Sequence, residues 1–261
     1  MNKYICEKIN NVDRDSVDSL DSNQQQYSPP LQRNAKHTWE KGDFKDCSYV
    51  GGWHDGKISG KGSMKYKDGS KFEGNWRDGK KHGSGTLRKA DHSVVEGNWV
   101  DDAQKGPGKL IDPSGNVYEG DIVDSVPNGH GTKRTGEGPD VITYVGEWAK
   151  GVQQGYGVEV TSEQKYLGMW CSGAKHGPGC LVNIDGVYCH GTWHYNELTD
   201  NGVMIFPDGA RYEGRFLSCG KFSGQGTLIE GKRKYVGKFE GNYESFKFNG
   251  EVIFYVLCLI I

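Results

Sequence analysis

The chain is poor in the residues that fill an ordinary globular core. Only 34% of its 261 residues are hydrophobic, against roughly 45–50% in an average domain. A large central core is therefore not expected. Proline is also scarce, at 8 residues, which excludes a collagen or a Pro-Gly linker. Neither sign of charge dominates: 32 Lys and Arg face 34 Asp and Glu, for a net of −2. No domain-sized basic field exists, so a nucleic-acid partner is not expected. The N-terminus, Met1 to Glu7, has no apolar run and shows no secretory signal. With an odd count of 7 cysteines and no Cys-x-x-Cys pair, the thiols are expected reduced, in the cytoplasm. The longest apolar run, Val252 to Ile261, has ten residues, where a spanning helix needs about 20.

What the chain does have is 40 glycines, 14 tyrosines and 7 tryptophans. They fall into a repeat of about 23 residues with an aromatic at position 1, glycine at 3 and an aromatic at 5. Its nine starts are Tyr49, Phe72, Val95, Tyr118, Tyr144, Tyr166, Cys189, Tyr212 and Tyr235. Position 3 is glycine in all nine units, from Gly51 to Gly237. Position 5 holds Trp53, Trp76, Trp99, Ile122, Trp148, Trp170, Trp193, Phe216 and Phe239. A Gly-x-Gly pair follows, as in Gly60 and Gly62 or Gly177 and Gly179. The seventh unit has Asp200 at the first place, the eighth shifts by one residue, and the ninth has Phe246 and Phe248 instead.

Positions 1, 3 and 5 share one face of a strand. Glycine between two aromatics leaves room for a ring from the adjacent strand to lie across the backbone. All nine such glycines are expected beneath rings. Asp68-Gly69, Ser114-Gly115, Asp185-Gly186 and Asp208-Gly209 read as tight turns between units. Each unit is then one β-hairpin. The series makes an all-β, single-layer antiparallel meander over residues 39–251, elongated because only stacked neighbours bury the rings. Residues 1–38, with Gln24-Gln25-Gln26 and Pro29-Pro30, lack the pattern and are expected disordered. Residues 252–261 form an apolar tail with three readings: a strand capping the sheet edge, a membrane insertion too short to span, or the end of a truncated product.

The unit Tyr-x-Gly-x-Trp-x-x-Gly-x-x-x-Gly-x-Gly resembles the MORN repeat. Tyr49-Val50-Gly51-Gly52-Trp53-His54-Asp55-Gly56 matches its first half and Lys81-His82-Gly83-Ser84-Gly85 its second. The lead-in Phe44 to Tyr49, the lengthened loop Thr132 to Thr143, and the unit containing Tyr166 to Trp170 are similar to those of the alsin family. That resemblance implies a non-catalytic scaffold for protein assembly or self-association. The setting it implies is small-GTPase regulation (Rab- or Rho-type exchange) and endosomal membrane traffic. The implied partners are an alsin-like exchange factor or a second copy of the chain. The family's flanking exchange domains are not found in these residues, so exchange activity is not carried over. The repeat also implies two other roles, a phospholipid-binding targeting module at endosomal or plasma membranes and the regulatory part of a phosphoinositide kinase.

No catalytic residue, cofactor or metal is expected. The Gly-x-Gly pairs lack the Gly-Lys-Ser/Thr ending of a phosphate loop, and Ser59 is misplaced for a nucleophile elbow. Cys171, Cys180 and Cys189 lie nine residues apart beside His190, a spacing unlike zinc frames. Arg77, Lys80, Lys81 and His82 form a cationic cluster. It is either an anionic-lipid headgroup site or a solvated loop. On the opposite strand face, unit two shows Glu73, Asn75 and Arg77, whereas unit six shows Leu167, Met169 and Cys171. That apolar trio is either a partner or self-association surface or is packed beneath a local loop or the N-terminal segment. The repeat aromatics Tyr49, Trp53, Phe72, Trp76, Trp99, Tyr118, Tyr144, Trp148, Tyr166, Trp170, Trp193, Tyr212, Phe216, Tyr235 and Phe239 are assigned to structure.

Overall fold

The computed structural model describes residues 32–39, 45–218, 221–242 and 245–254. They contain nineteen β-strands, one short 3-10 turn at Gly138–Asp140, and no α-helix among the described residues. Each strand is antiparallel to the next in an all-β meander. Two compact units are distinguished, Met1–Gly115 with Ile122–Ser125, and Asn116–Asp121 with Val126–Ile261. The first contains β1 (Gln32–Thr38), β2 (Ser48–His54), β3 (Lys57–Lys65), β4 (Lys71–Arg77), β5 (Lys80–Arg88), β6 (Val94–Val100) and β7 (Ala103–Ile111). Strand β8 (Val117–Val123) contributes to both. The second contains β9 (Val126–Thr135), β10 (Ile142–Ala149), β11 (Val152–Val160), β12 (Gln164–Cys171), β13 (Ala174–Asn183) and β14 (Tyr188–His194). It continues with β15 (Glu197–Ile205), β16 (Arg211–Ser218), β17 (Lys221–Glu230), β18 (Arg233–Gly241) and β19 (Phe246–Phe254).

Glycine faces glycine on neighbouring strands. In the first unit Gly51 pairs with Gly62, Gly62 with Gly74, Gly74 with Gly85, Gly85 with Gly97, and Gly97 with Gly108. In the second the line runs from Gly131 and Gly146 through Gly157, Gly168 and Gly179 to Gly237 and Gly250. The reason is the position-1 ring. Tyr49 lies across Gly51 and Gly62, where any side-chain carbon would collide with it, and Tyr118, Tyr144, Tyr166 and Tyr212 lie likewise across their own glycine pairs. The ring comes from two residues earlier on the same strand, not from the adjacent strand. A side chain leaning along its strand reaches the i+2 position on the same face. The hydroxyl then donates to the position-4 carbonyl: Tyr49 to Gly52 at 3.1 Å, Tyr144 to Glu147 at 3.1 Å, and Tyr166 to Met169 at 3.0 Å.

Tryptophan joins one repeat to the next. Trp76 meets Phe72 of its own unit edge-on at 5.1 Å and Tyr49 of the preceding unit at 5.7 Å. Trp170 meets Tyr166 at 5.4 Å and Tyr144 at 5.1 Å in the same way. Edge-to-face pairs are worth about 0.5–1.5 kcal/mol each beyond area burial, so the chain of contacts is a large share of the cohesion. The indole N–H donates to the preceding repeat's glycine carbonyl, Trp99 to Gly85 at 3.1 Å and Trp193 to Gly179 at 3.1 Å. Trp53, which opens the series, and Trp170 do not make this bond, and the buried Nε1 of each has no partner in the structure. Most repeat aromatics are buried; Trp53 and Tyr235 are only half-buried.

Not every position-3 glycine lies beneath a ring. Val95 and Cys189 replace the ring in two units. There Gln104 and Leu198, both buried, fill the space over Gly97 and Gly191, and Gly237 faces the backbone of Asn249 and Gly250. The glycine preserves a gap, and whichever side chain reaches it can fill it.

The Gly-x-Gly pair has two separate tasks. Its first glycine is left-handed, with φ +78° at Gly60 and +75° at Gly177, at a register shift that bends the strand. Asp200 keeps φ +57° at that place, a conformation Asp tolerates better than most residues. The second glycine is the partner in the gap. Within the first seven hairpins the turn is a two-residue one with both φ positive, as in Asp55-Gly56 at +48° and +72°. That is the type I′ geometry matching strand twist. The turns at Gly69, Gly115, Gly186 and Gly209 connect units as expected.

Two boundaries differ from expectation. Residues 32–38, expected disordered, form β1, which pairs with β2. Edge pairing uses backbone groups, so a polar stretch without alternation can take the place. The rest of the 1–38 expectation lies outside the described residues. At the other end, Val252–Phe254 belong to β19, so the strand runs past the expected boundary at 251, in line with the final-strand reading of the tail for these three residues, with Val252 opposite Tyr235. Residues 255–261 lie outside the described residues.

Two outcomes are expected. Gly168→Val places carbon against the Tyr166 hydroxyl and Gly179 Cα, each 2.5 Å from a β-carbon. Its cost in urea unfolding should reach or exceed the top of the about 1–3 kcal/mol range for overpacking. Gly115→Ala has open space and only a φ of +85° to bear, about 1 kcal/mol. Equal costs would contradict the ring-gap account. Burial also pushes Tyr49, Tyr118 and Tyr212 up to about 12 and raises Tyr144 and Tyr166. Above pH 10 the unfolded chain loses phenolic protons that the folded chain retains, so stability falls as pH rises from about 10 toward 12. Tyrosinate absorbance should therefore rise together with loss of the β circular-dichroism signal. Separate transitions would count against this linkage.

Candidate functional site

The two sheet faces differ chemically. One is the aromatic face. The other, in the first unit, carries the cross-strand row Val50, Ser63, Glu73, Thr86, Glu96 and Lys109. An open trough there is lined by Lys61, Asn75, Ser84 and Asn98. Charges of both signs and amides make this a solvated face.

The corresponding row in the second unit changes character. Val145 pairs with Val158, Val158 with Leu167, Leu167 with Cys180, and Cys180 with His190. Leu167 is 51% exposed and Val145 48%, so no local loop among the described residues covers them; most of the N-terminal segment lies outside the described residues. Val160 and Val182 flank Lys165 in the next row, both exposed. Tyr156, opposite Met169, is 62% exposed. Met169 is half-buried with its sulfur over Gly177, and Cys171 is half-buried at the end of β12. The sequence trio is thus the centre of a larger apolar patch across β10–β13. Val145, Val158, Tyr156, Val160 and Val182 were missed because reading one strand at a time hides cross-strand neighbours. Their shared strand parity was the available signal.

The cationic cluster does not assemble as a lipid site. Lys81 turns inward, its ammonium over the rings of Trp99 at 5.1 Å and Phe72 at 5.7 Å, and desolvation lowers its pKa against the pull of Asp102. Arg77 and His82 converge on Asp101, at 3.5 and 3.9 Å. Lys80 begins β5 beside the Asp78-Gly79 turn. The sequence signal for Lys81 was its place opposite Trp76, which is an inward register. Lys175 occupies the same place opposite Trp170, over the Tyr166 ring at 5.2 Å and paired with Glu159 at 2.9 Å. These lysines belong to the aromatic layer as cation–π partners. The thiols do not converge either: Cys180 faces His190 on the outer face, while buried Cys189 pairs with Leu181 on the aromatic side.

The MORN-repeat family profile matches residues 49–71, 72–94, 96–117, 118–138, 144–162, 166–188 and 189–211. The chain belongs to the MORN-repeat family. Two further units keep the MORN geometry beyond these matches, with Gly214 opposite Gly226 and Gly237 opposite Gly250. The chain is 35% identical to human alsin over 235 residues, covering 86% of this chain and 14% of alsin; mouse alsin gives the same figures. The chain therefore spans about 14% of the length of these relatives. Among solved structures, the SAS-4 TCP domain of Drosophila melanogaster, in complex with a proline-rich motif of Ana2, has 11% identity and a TM-score of 0.37. The match covers 59% of this chain and 84% of that one, a likeness too weak to build on.

A free basic site loses about 1 kcal/mol per cation removed, or roughly five-fold for one. Arg77→Gln is instead expected to change co-sedimentation with phosphatidylserine vesicles by less than about two-fold, because the Arg77 charge is already engaged by Asp101. A loss approaching the larger figure would restore the lipid reading.

Proposed function

We propose that the chain is a non-catalytic MORN scaffold that docks a protein partner on the apolar face of β10–β13. The partner belongs to the small-GTPase exchange machinery of endosomal traffic, with an alsin-type exchange factor the first candidate. The observation that carries the reading is the cross-strand row Val145, Val158, Leu167 and Cys180, with Val145 and Leu167 exposed and Val158 and Cys180 half-buried, where the corresponding row of the first unit is mostly polar. Large exposed apolar patches mark interaction sites. The 35% identity to alsin supports the choice of partner. The repeat aromatics are engaged in packing, which leaves the opposite face as the surface for binding.

Purified human alsin and the chain should co-precipitate. Leu167→Asp with Met169→Asp should weaken capture by about 30-fold, as loss of about 2 kcal/mol at an interface centre implies. The thermal midpoint should stay near wild type because Leu167 lies on the exposed face. Undiminished capture by the variant, or no capture by the wild type, overturns the reading.

A further inference from the structure

On the outer face of β13–β15, three side chains able to ligate a metal come from three successive strands. His176 follows Lys175, which turns into the aromatic layer, so His176 itself points outward. His194 follows the buried Trp193 and points outward as well. Gly177 pairs with Trp193, and the next step of that ladder sets His176 beside His194. Their ring centroids are 5.2 Å apart, with the planes at 46°. The Tyr195 ring packs against both, at 5.5 and 4.6 Å. Across the next strand pair His194 stands opposite Glu197, which is exposed. Opposed residues of an antiparallel pair have β-carbons about 4.5–5.5 Å apart, so the carboxylate is within reach of the imidazoles.

The equivalent place in unit two is built differently. His82 stands where His176 does. Neither Nδ1 makes a hydrogen bond, but that of His82 has the Asp101 carboxylate at 3.9 Å. Unit six has Tyr195 in place of Asp101 and His194 in place of Val100, which offers His176 a second imidazole instead of a counter-charge. A buried nitrogen without a partner calls for an explanation, and a bound ion is one. Zinc holds an imidazole nitrogen at about 2.0–2.1 Å, which sets two ring centres around a tetrahedral ion roughly 5 Å apart. The histidine pair already has that separation. We propose that His176, His194 and Glu197 bind one Zn2+ ion, the imidazoles forming the seat and the carboxylate closing it. Among the described residues no three such side chains are gathered in advance; the exposed Glu197 turns in as the ion enters, and water takes the fourth position. The ion ties β13 to the β14–β15 turn. No regular spacing marks the three in the chain, because cross-strand register brings them together. The site goes beyond the docking of a protein partner and does not rest on it.

The test is calorimetric titration of Zn2+ into the full chain, with the histidine-ring signals followed by NMR. Wild type should take up an ion whose binding His176→Gln and His194→Gln each weaken by more than the about 10–100-fold that losing an outer-shell partner costs. Glu197→Gln should weaken it by about ten-fold. His82→Gln should bind as wild type does. So should Cys180→Ser, which removes the rival thiol–imidazole pair, Cys180 opposite His190. Zn2+ should shift the ring signals of His176 and His194 and leave those of His82 and His190. Since His194 is exposed, His194→Gln should melt as wild type does without zinc, while added Zn2+ should raise the thermal midpoint of wild type alone. A wild type that binds no zinc, undiminished binding in any variant of the three ligands, or binding lost with Cys180→Ser would each overturn the inference.

Discussion

The close approach of glycine to glycine on neighbouring strands is the constraint on which the rest depends. Glycine in a strand is ordinarily unfavourable, by roughly 0.5–1 kcal/mol relative to alanine. Here its missing side chain opens a gap that a tyrosine or phenylalanine ring closes. The ring shields the backbone beneath it, its hydroxyl engages a carbonyl freed by the bulge, and its faces receive tryptophan edges from two repeats. A single sheet can thus bury aromatics on one side without a second layer of secondary structure.

The same arrangement separates structure from function by face. The aromatic face is consumed by packing. Even its lysines serve there, Lys81 over Trp99 and Lys175 between Tyr166 and Glu159. What remains for recognition is the opposite face, where side chains are free of the repeat's demands and differ from unit to unit. That face is mostly polar across β3–β7 in the first unit and apolar across β10–β13 in the second.

Much of the fold was legible because the repeat is strict. Gly51 to Gly237 in one register announced the hairpins, and the parity of positions 1, 3 and 5 announced a single aromatic face. The identity of what fills each gap was not legible. Gln104 over Gly97 and Leu198 over Gly191 depend on which residue stands opposite position 5, and that follows from a bulge whose left-handed glycine carries no label in the sequence. Strand β1 escaped notice for a similar reason: an edge strand is held by backbone groups, and its side chains need show no pattern.

The candidate surface was half legible. Leu167, Met169 and Cys171 stood out on one strand. Arg77, Lys80, Lys81 and His82 stood out as a cluster of like charge, and there proximity in sequence misled. Adjacent residues on a strand point to opposite faces, so Lys81 went into the aromatic layer while Arg77 and His82 met Asp101 from the next repeat. By itself the sequence determined the hairpin, its period and its glycine line, because these are set by residues a few places apart. Only the tertiary structure decided which side chains from different repeats share a patch. Cross-strand register, and not chain distance, brings Val145, Val158, Leu167 and Cys180 side by side.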